Sequence, residues 1–488
     1  WLSVAALICF YTALLHTLHR RRYGRRSRLA FGVLAVLSLV TAVERRHAFK
    51  PPALPAGRPP ARSVTDDRRP RLLVVGLGGA TLDALLPLAA EGRLPFLATA
   101  LRDGAYGRLA TLSPHRPDAL WMTLATGKYP SKHGVTGSAR YAADFLARGA
   151  ELRLLPVGIG FRLWGTLGGR RREPAMPDRR AAALWELLPR LGTPAGAIGW
   201  PASVPPGSAM ESAMESAMES DRGAAFLLAD TFFKQAAHGN SGGRDLRTVL
   251  PPRAAEIARR LAVGPGDLDP EELDGFGPAL DGRVREALAG DHWRESLALS
   301  LPEQFPQTEA LFLVLPGLEG VARRSFGGFA AVEFEGAKAR EMQEAARLLG
   351  AYYQHLDRLL GELWERWQGQ GQGPRLLALV SAHGVGEPGA WRRLQGEMSR
   401  RAALEGEVAG APDGILVLYG EGVRPGTLVT GAAIADLAPT LLYGLGFPVA
   451  RDLDGKVLTA AFGRRFLARH PLTFLPSYEN RQTDQPSR

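Results

Sequence analysis

Residues 71–103 read RLLVVGLGGATLDALLPLAAEGRLPFLATALRD, and the fold is decided here. Leu72–Val75 is a short, wholly apolar run closing on two valines, the pattern of a buried strand. Gly76, Gly78 and Gly79 break it, and Thr81 is placed to cap a helix whose apolar positions include Leu82, Leu85, Leu86 and Leu88. Strand, glycine turn and helix make the first half of an α/β unit, in which ligands sit at the carboxyl end of the strand. A glycine-rich turn ahead of a helix can cradle an anion through its backbone N–H groups. Neither GxGxxG nor GK[ST] is present here, however, and a plain tight turn also accounts for the glycines.

The same grammar recurs downstream. Ala310–Leu315, Leu376–Ser381 and Ile415–Tyr419 read as strands, and AGAIGW (195–200) as a strand running into a loop. Arg180–Leu191 and Ala433–Leu445 read as helices, as does Lys338–Trp367, with Met342, Ala345, Leu348, Leu349, Tyr352 and Leu359 on its buried side. Strands alternating with helices predict an α/β fold, a three-layer αβα sandwich with a largely parallel central sheet, over residues 71–470. Residues 138–301 are more loosely patterned and are expected to cap or decorate the core over the mouth of the site. Residues 471–488 read as a polar tail. SAMESAMESAMES (208–220) would stripe Met210, Met214 and Met218 along a helix; a methionine cofactor box is the sharp reading and a tolerated surface loop the plain one.

The amino-terminal part is of another kind. Residues 1–18 and 29–43 are two apolar runs, against the roughly 20 residues that a membrane span needs. Trp1 rather than Met opens the sequence, and an upstream segment is expected. A signal peptide fits poorly, because the two runs enclose the arginine-rich HRRRYGRRSR (19–28) and no small-residue cleavage site follows. The reading is therefore a pair of transmembrane helices within residues 1–47, with the membrane bilayer as partner. The arginine hinge would lie on the cytoplasmic side and the globular domain outside the cytoplasm. Residues 48–70 are proline-rich and form a tether. Residues 1–71 hold fourteen basic and three acidic residues and so carry the whole net charge of +11. The remainder is balanced, which argues against a nucleic-acid partner. Cys9 is the only cysteine, so the chain has no internal disulfide.

GLGGATLDALLPLAAEGRLPFLATAL (76–101), GAYGRL (104–109) and ATGKYPSKHGV (125–135) resemble the type I phosphodiesterase/nucleotide pyrophosphatase family of the alkaline phosphatase superfamily. The resemblance resumes at LFLVLPGLEGVARRSF (311–326), RLLALVSAHG (375–384), PDGILVLYGEGVRPG (412–426) and ADLAPTLLYGLGFPVARDLDGKVL (435–458). It implies an alkaline-phosphatase-like fold. For active members it also implies two zinc-like ions and a Thr or Ser nucleophile, the cations clamping attacking and leaving oxygens. Such a centre needs about six carboxylate and imidazole ligands.

Carried over position by position, the pattern is mostly lost. The Asp of the GLDGA-like motif falls on Gly78. Counting back from Thr126–Gly127, with Trp121 as a second anchor, the nucleophile falls on Pro117, which has no hydroxyl. The GLD-x-x-x-H motif becomes Glu319 and Arg323, and SDHG becomes Ser381–Ala382–His383–Gly384. The last histidine falls on Val408. Arg323 is permanently cationic and would repel a neighbouring metal, but four residues from Glu319 it can pair with that carboxylate in the metal's stead.

A shifted nucleophile at Ser113 with His115 as base, beside Asp118, would need hydrogen-bond geometry and an oxyanion site that adjacency does not supply. His133 matches a loop-ordering histidine of the family. Lys128 and Lys132 read as surface charges, or as cations facing an anion, and His292 and His355 as ordinary helical residues.

The expectation is thus an inactive, membrane-anchored family member with a binding or scaffolding role. It would hold no metal and would recognise an anionic ligand or a protein partner. The alternative is a metal-dependent phosphoric or sulfuric ester hydrolase with a remodelled site, using one zinc or manganese at Glu319 and His383. A third reading is a purely structural subunit of a membrane complex.

Overall fold

The computed structural model describes Gly24, Val33 and residues 69–113, 115–137, 140–143, 169–172, 179–203, 226–237, 248–277, 280–330, 336–371, 373–386 and 411–479. The two apolar runs apart from Val33, the methionine repeat, Val408 and nearly all of the tether lie outside these residues. Among the described residues no single helix is long and apolar enough to cross a membrane.

Nine strands form one sheet. They are β1 (Arg71–Leu77), β2 (Ala105–Ala110), β3 (Ala195–Ile198), β4 (Phe226–Leu228), β5 (Val249–Leu250), β6 (Ala310–Leu315), β7 (Arg375–Val380), β8 (Gly414–Gly420) and β9 (Thr427–Ala433). Their spatial order is β9-β2-β8-β7-β1-β6-β3-β4-β5, with only β8 and β5 running against the rest. β1 lies between β7 and β6, parallel to both, so its backbone is paired on each side. Each strand then turns alternate residues to opposite faces. Leu72 and Val74 enter one apolar cluster, and Leu73, Val75 and Leu77 enter the other.

Helices cover both faces, which is why the central strands are apolar throughout. On the Leu73 face lie α1 (Leu82–Ala90), α2 (Pro95–Asp103), α5 (Pro252–Arg260), α7 (Gly282–Gln304) and α9 (Gly336–Gly369). On the Leu72 face lie α3 (Pro117–Thr126), α4 (Leu184–Arg190) and α10 (Leu437–Gly444). Two further helices, α6 (Pro270–Asp274) and α8 (Gly317–Ala330), bear on the sites described below. Helix α9 buries Leu348, Tyr352, Leu356, Leu359, Leu363 and Trp367, a three-and-four spacing that keeps one stripe on the sheet. Its Asp357 also accepts from the Phe96 and Leu97 N–H groups at 3.1 and 2.7 Å, capping α2, whose own N-cap residue Leu94 cannot.

Several expectations are corrected. From Arg179 onward the loosely patterned stretch is, where described, part of the sandwich: it supplies β3, β4, β5 and the 23-residue α7. The helix expected over Ala433–Leu445 is shorter, because Ala433 closes β9 and Ile434–Asp436 forms a 3-10 turn ahead of α10. The polar tail begins later than residue 471, since Phe474–Leu475 pairs with Val449–Ala450 and Ser477 is buried.

Lys128 is no surface charge either. It is 5 % exposed, and its ammonium contacts Asp452 at 2.7 Å and Glu479 at 2.8 Å. Lys132 reaches Asp454 at 2.6 Å. The two lysines latch the carboxyl-terminal segment onto the loop after α3. Removing one partner of a buried pair leaves charge without compensation, so Lys128→Met is expected to cost about 3 kcal/mol in urea unfolding. A loss below about 0.5 kcal/mol would place the latch among inert surface pairs.

Candidate functional site

The carboxyl ends of β1, β6 and β7, the amino end of the reversed β8 and the exit of β2 all lie at one edge of the sheet. That edge gathers the turn at Gly78, the start of α8, the His383 loop, the PDG turn at 412–414 and the loop leading to α3. This is the place where a sheet of this topology presents ligands.

The turn after β1 is crowded. A Cβ at Gly76 would meet the buried Trp121 ring at 2.5 Å, and one at Gly78 would meet Pro316 at 3.1 Å and the Glu319 Cβ at 3.2 Å. Gly79, with φ of +74°, lies equally close to Glu319 and to Val385. Thr81 caps α1 through the Ala84 N–H, and its own N–H donates to the Tyr353 hydroxyl.

From α8, Glu319 pairs with Arg323 at 3.5 Å, one turn on, with their side chains 22 and 41 % exposed. The structure thus brings Gly78, Glu319 and Arg323 together directly. On the other side, Ala382 and His383 are fully buried. His383 Nδ1 donates to the Gly384 carbonyl at 2.8 Å, while its Nε2 is buried without a hydrogen-bond partner.

His115 comes from the loop after β2 and lies near His383 and Asp413, with the Ala411 carbonyl accepting from it. Burial first, and then the neighbouring His383 imidazole, push His115 below the ordinary range. Asp413 accepts from the Thr111 N–H at 3.2 Å. Pro117 follows two residues after His115, at the first position of α3, where its fixed φ suits a helix start. His115 therefore stands by His383, whereas Ser113 is exposed.

The loop beyond α3 is held by His133, which is fully buried. Its Nδ1 accepts from the Val135 N–H at 3.2 Å, and its Nε2 faces Thr123 Oγ1 at 3.1 Å. The Thr123 hydroxyl already donates to the Ala119 carbonyl, so Nε2 is the protonated nitrogen and the ring is neutral.

Sequence reasoning missed a second grouping. Among the described residues, Glu272, His292 and His355 bring three donor atoms within 4.8 Å of one another. They come from three helices, α6, α7 and α9, and no local spacing announces them.

The family model described as type I phosphodiesterase / nucleotide pyrophosphatase matches residues 72–389, well over half of the chain. No curated protein matches. Among solved structures the chain is similar to wild-type alkaline phosphatase PafA, at 11 % identity and a TM-score of 0.47, covering 82 % of this chain and all of that one. It is also similar to the phosphonate monoester hydrolase SpPMH from Silicibacter pomeroyi, at 14 % identity and a TM-score of 0.42, covering 80 % of this chain and 76 % of that one.

Burial, and next the charge of Arg179, push His133 from its ordinary 6.5 down to about 3. Between those values the native state binds fewer protons than the unfolded chain. The stability it contributes is therefore complete above about pH 6.5 and falls as pH drops toward 3, by at most roughly 1.4 kcal/mol per pH unit. Urea unfolding at pH 7 and pH 5 is expected to show a smaller acid loss in His133→Gln than in the native chain. Equal losses would contradict a neutral buried imidazole.

Proposed function

The chain belongs to the type I phosphodiesterase/nucleotide pyrophosphatase family, and from that premise we propose an alkaline-phosphatase-like domain that has lost paired-cation hydrolysis and serves in binding or scaffolding. The observation supporting this most strongly is the crowding at Gly78. The position that the resemblance assigns to the first aspartate has no side chain, and Pro316 and Glu319 close on it. Pro117, at the nucleophile position, has no hydroxyl to activate. A pair of cations does not fit the donors present, because Glu319 is paired with Arg323 and Ala382 offers no ligand.

In this reading Arg323 substitutes a fixed guanidinium for a lost metal charge. Two-fifths exposed, it gives the pocket a cation for an anionic group or an acidic partner surface. The proposal includes anchoring by residues 1–18 and 29–43 with the domain outside the cytoplasm, on the strength of the apolar runs and the arginine hinge between them.

One observation favours the alternative of a one-metal phosphoric or sulfuric ester hydrolase. His383 donates through Nδ1 to a backbone carbonyl and keeps a buried Nε2 lone pair, the arrangement that orients a metal-binding imidazole. His383 and Glu319 would then be the ligands, and zinc or manganese would supply Lewis acidity. His115, near His383, would be a group able to hold a proton there.

The purified chain assayed on an aryl phosphodiester with added zinc or manganese separates the two. The proposal expects no turnover above that of His383→Ala. Turnover abolished both by chelator and by His383→Ala would establish the hydrolase.

A further inference from the structure

Glu272, His292 and His355 lie well apart in sequence and meet where α6 crosses α7 and α9. Glu272 Oε2 stands 2.8 Å from His292 Nε2, and its Oε1 stands 2.7 Å from His355 Nδ1. The two imidazole centroids are 4.9 Å apart, with the rings inclined at 64°, so that both turn a nitrogen toward one carboxylate. His355 is 2 % exposed, Glu272 10 % and His292 24 %. The set is rooted in the protein and open on one side.

Two further features point to a cation. His292 Nδ1 faces Glu295 Oε2 at 3.1 Å, so a carboxylate stands behind the ring and fixes which nitrogen faces Glu272. Carboxylate–imidazole pairs of this kind orient metal-ligating histidines. Moreover, the open side gives onto a cleft of about 620 Å³ whose lining includes Asp269, Glu271 and Glu362. An entry path with acidic walls concentrates cations at its end.

We propose that Glu272, His292 and His355 bind a divalent cation of the zinc class, with Glu295 orienting His292 and the fourth coordination position open to the cleft. Two imidazoles and one carboxylate suit zinc and exclude magnesium or calcium, which take oxygen ligands. Arg358 is the built-in competitor: its guanidinium hydrogen-bonds Glu272 Oε1, and its side chain is 59 % exposed and free to swing outward. The cation exchanges with that guanidinium and with the protons between the rings and Glu272.

The bound ion would tie together three helices. Asp291, next to His292, accepts from the Gly317 N–H at 3.2 Å and from the Tyr352 hydroxyl at 2.9 Å. Gly317 begins α8, the helix that carries Glu319 and Arg323. The cation site is thus mechanically joined to the edge pocket while remaining chemically separate from it.

Calorimetric titration of the metal-stripped full chain with Zn²⁺, with Co²⁺ absorption as a second readout, tests the proposal. One equivalent is expected to bind, with a tetrahedral Co²⁺ spectrum. His292→Gln, at a partly exposed ring, should weaken binding by roughly a hundredfold, and Glu295→Gln by roughly tenfold. Arg358→Gln should tighten it severalfold, and His383→Ala should leave it unchanged. Absence of binding, binding indifferent to His292→Gln, or binding weakened by Arg358→Gln would each overturn the assignment. The edge-pocket reading stands or falls separately, because only His383→Ala reports on it.

Discussion

The carboxyl end of β1 is where the rest of the molecule closes in. Trp121 from α3 fills the space a Gly76 side chain would take, and Pro316 and Glu319 crowd the corresponding space at Gly78. Adding even a methyl group to such a contact forces neighbours off their preferred positions, at about 1–3 kcal/mol. The three glycines are therefore a packing requirement before they are anything chemical. The same closeness that gathers α8 and the His383 loop beside β1 would press any side chain at Gly78 against Pro316 and Glu319.

The surroundings fix that arrangement from several directions. Both sheet faces are apolar along β1, β6 and β7, so the register of the strands sets which loops arrive at the edge. His133 holds the loop after α3 through two ring nitrogens, and Lys128 fastens the carboxyl-terminal segment to it. Asp291 performs the matching task for α8 by holding Gly317. Lys128 and Asp291 are buried polar groups whose partners are far away in sequence, which is how such groups specify one arrangement among many compact ones, while His133 acts locally on Thr123 and Val135.

Much of the fold was legible because burial writes itself into short apolar runs. Ala310–Leu315 was readable to the residue, and the ends of β1, β7 and β8 were off by one or two. The last two strands on one side of the sheet were not legible: AYGRLA and TLVTGAA are rich in small residues and half-exposed, so neither run stands out. Helix α7 was hidden for a different reason. It buries Asp291, Arg294 and Glu295 along with its leucines and carries Pro302, so no clean polar face marks it. At the pocket, the four-residue spacing of Glu319 and Arg323 announced an ion pair that the structure contains. Lys128 gave no sign of burial because its carboxylates come from residues 452 and 479. Glu272, His292 and His355 gave none either, since only the crossing of three helices brings them together.

The central claim is that the loops at the sheet edge converge without the ligands for a pair of cations. Anomalous diffraction at the zinc edge from crystals soaked in excess zinc tests it most directly. The account predicts no pair of peaks between Gly78, Glu319 and His383. Two strong peaks a few ångströms apart at that edge, with Glu319 turned away from Arg323 toward them, would contradict it.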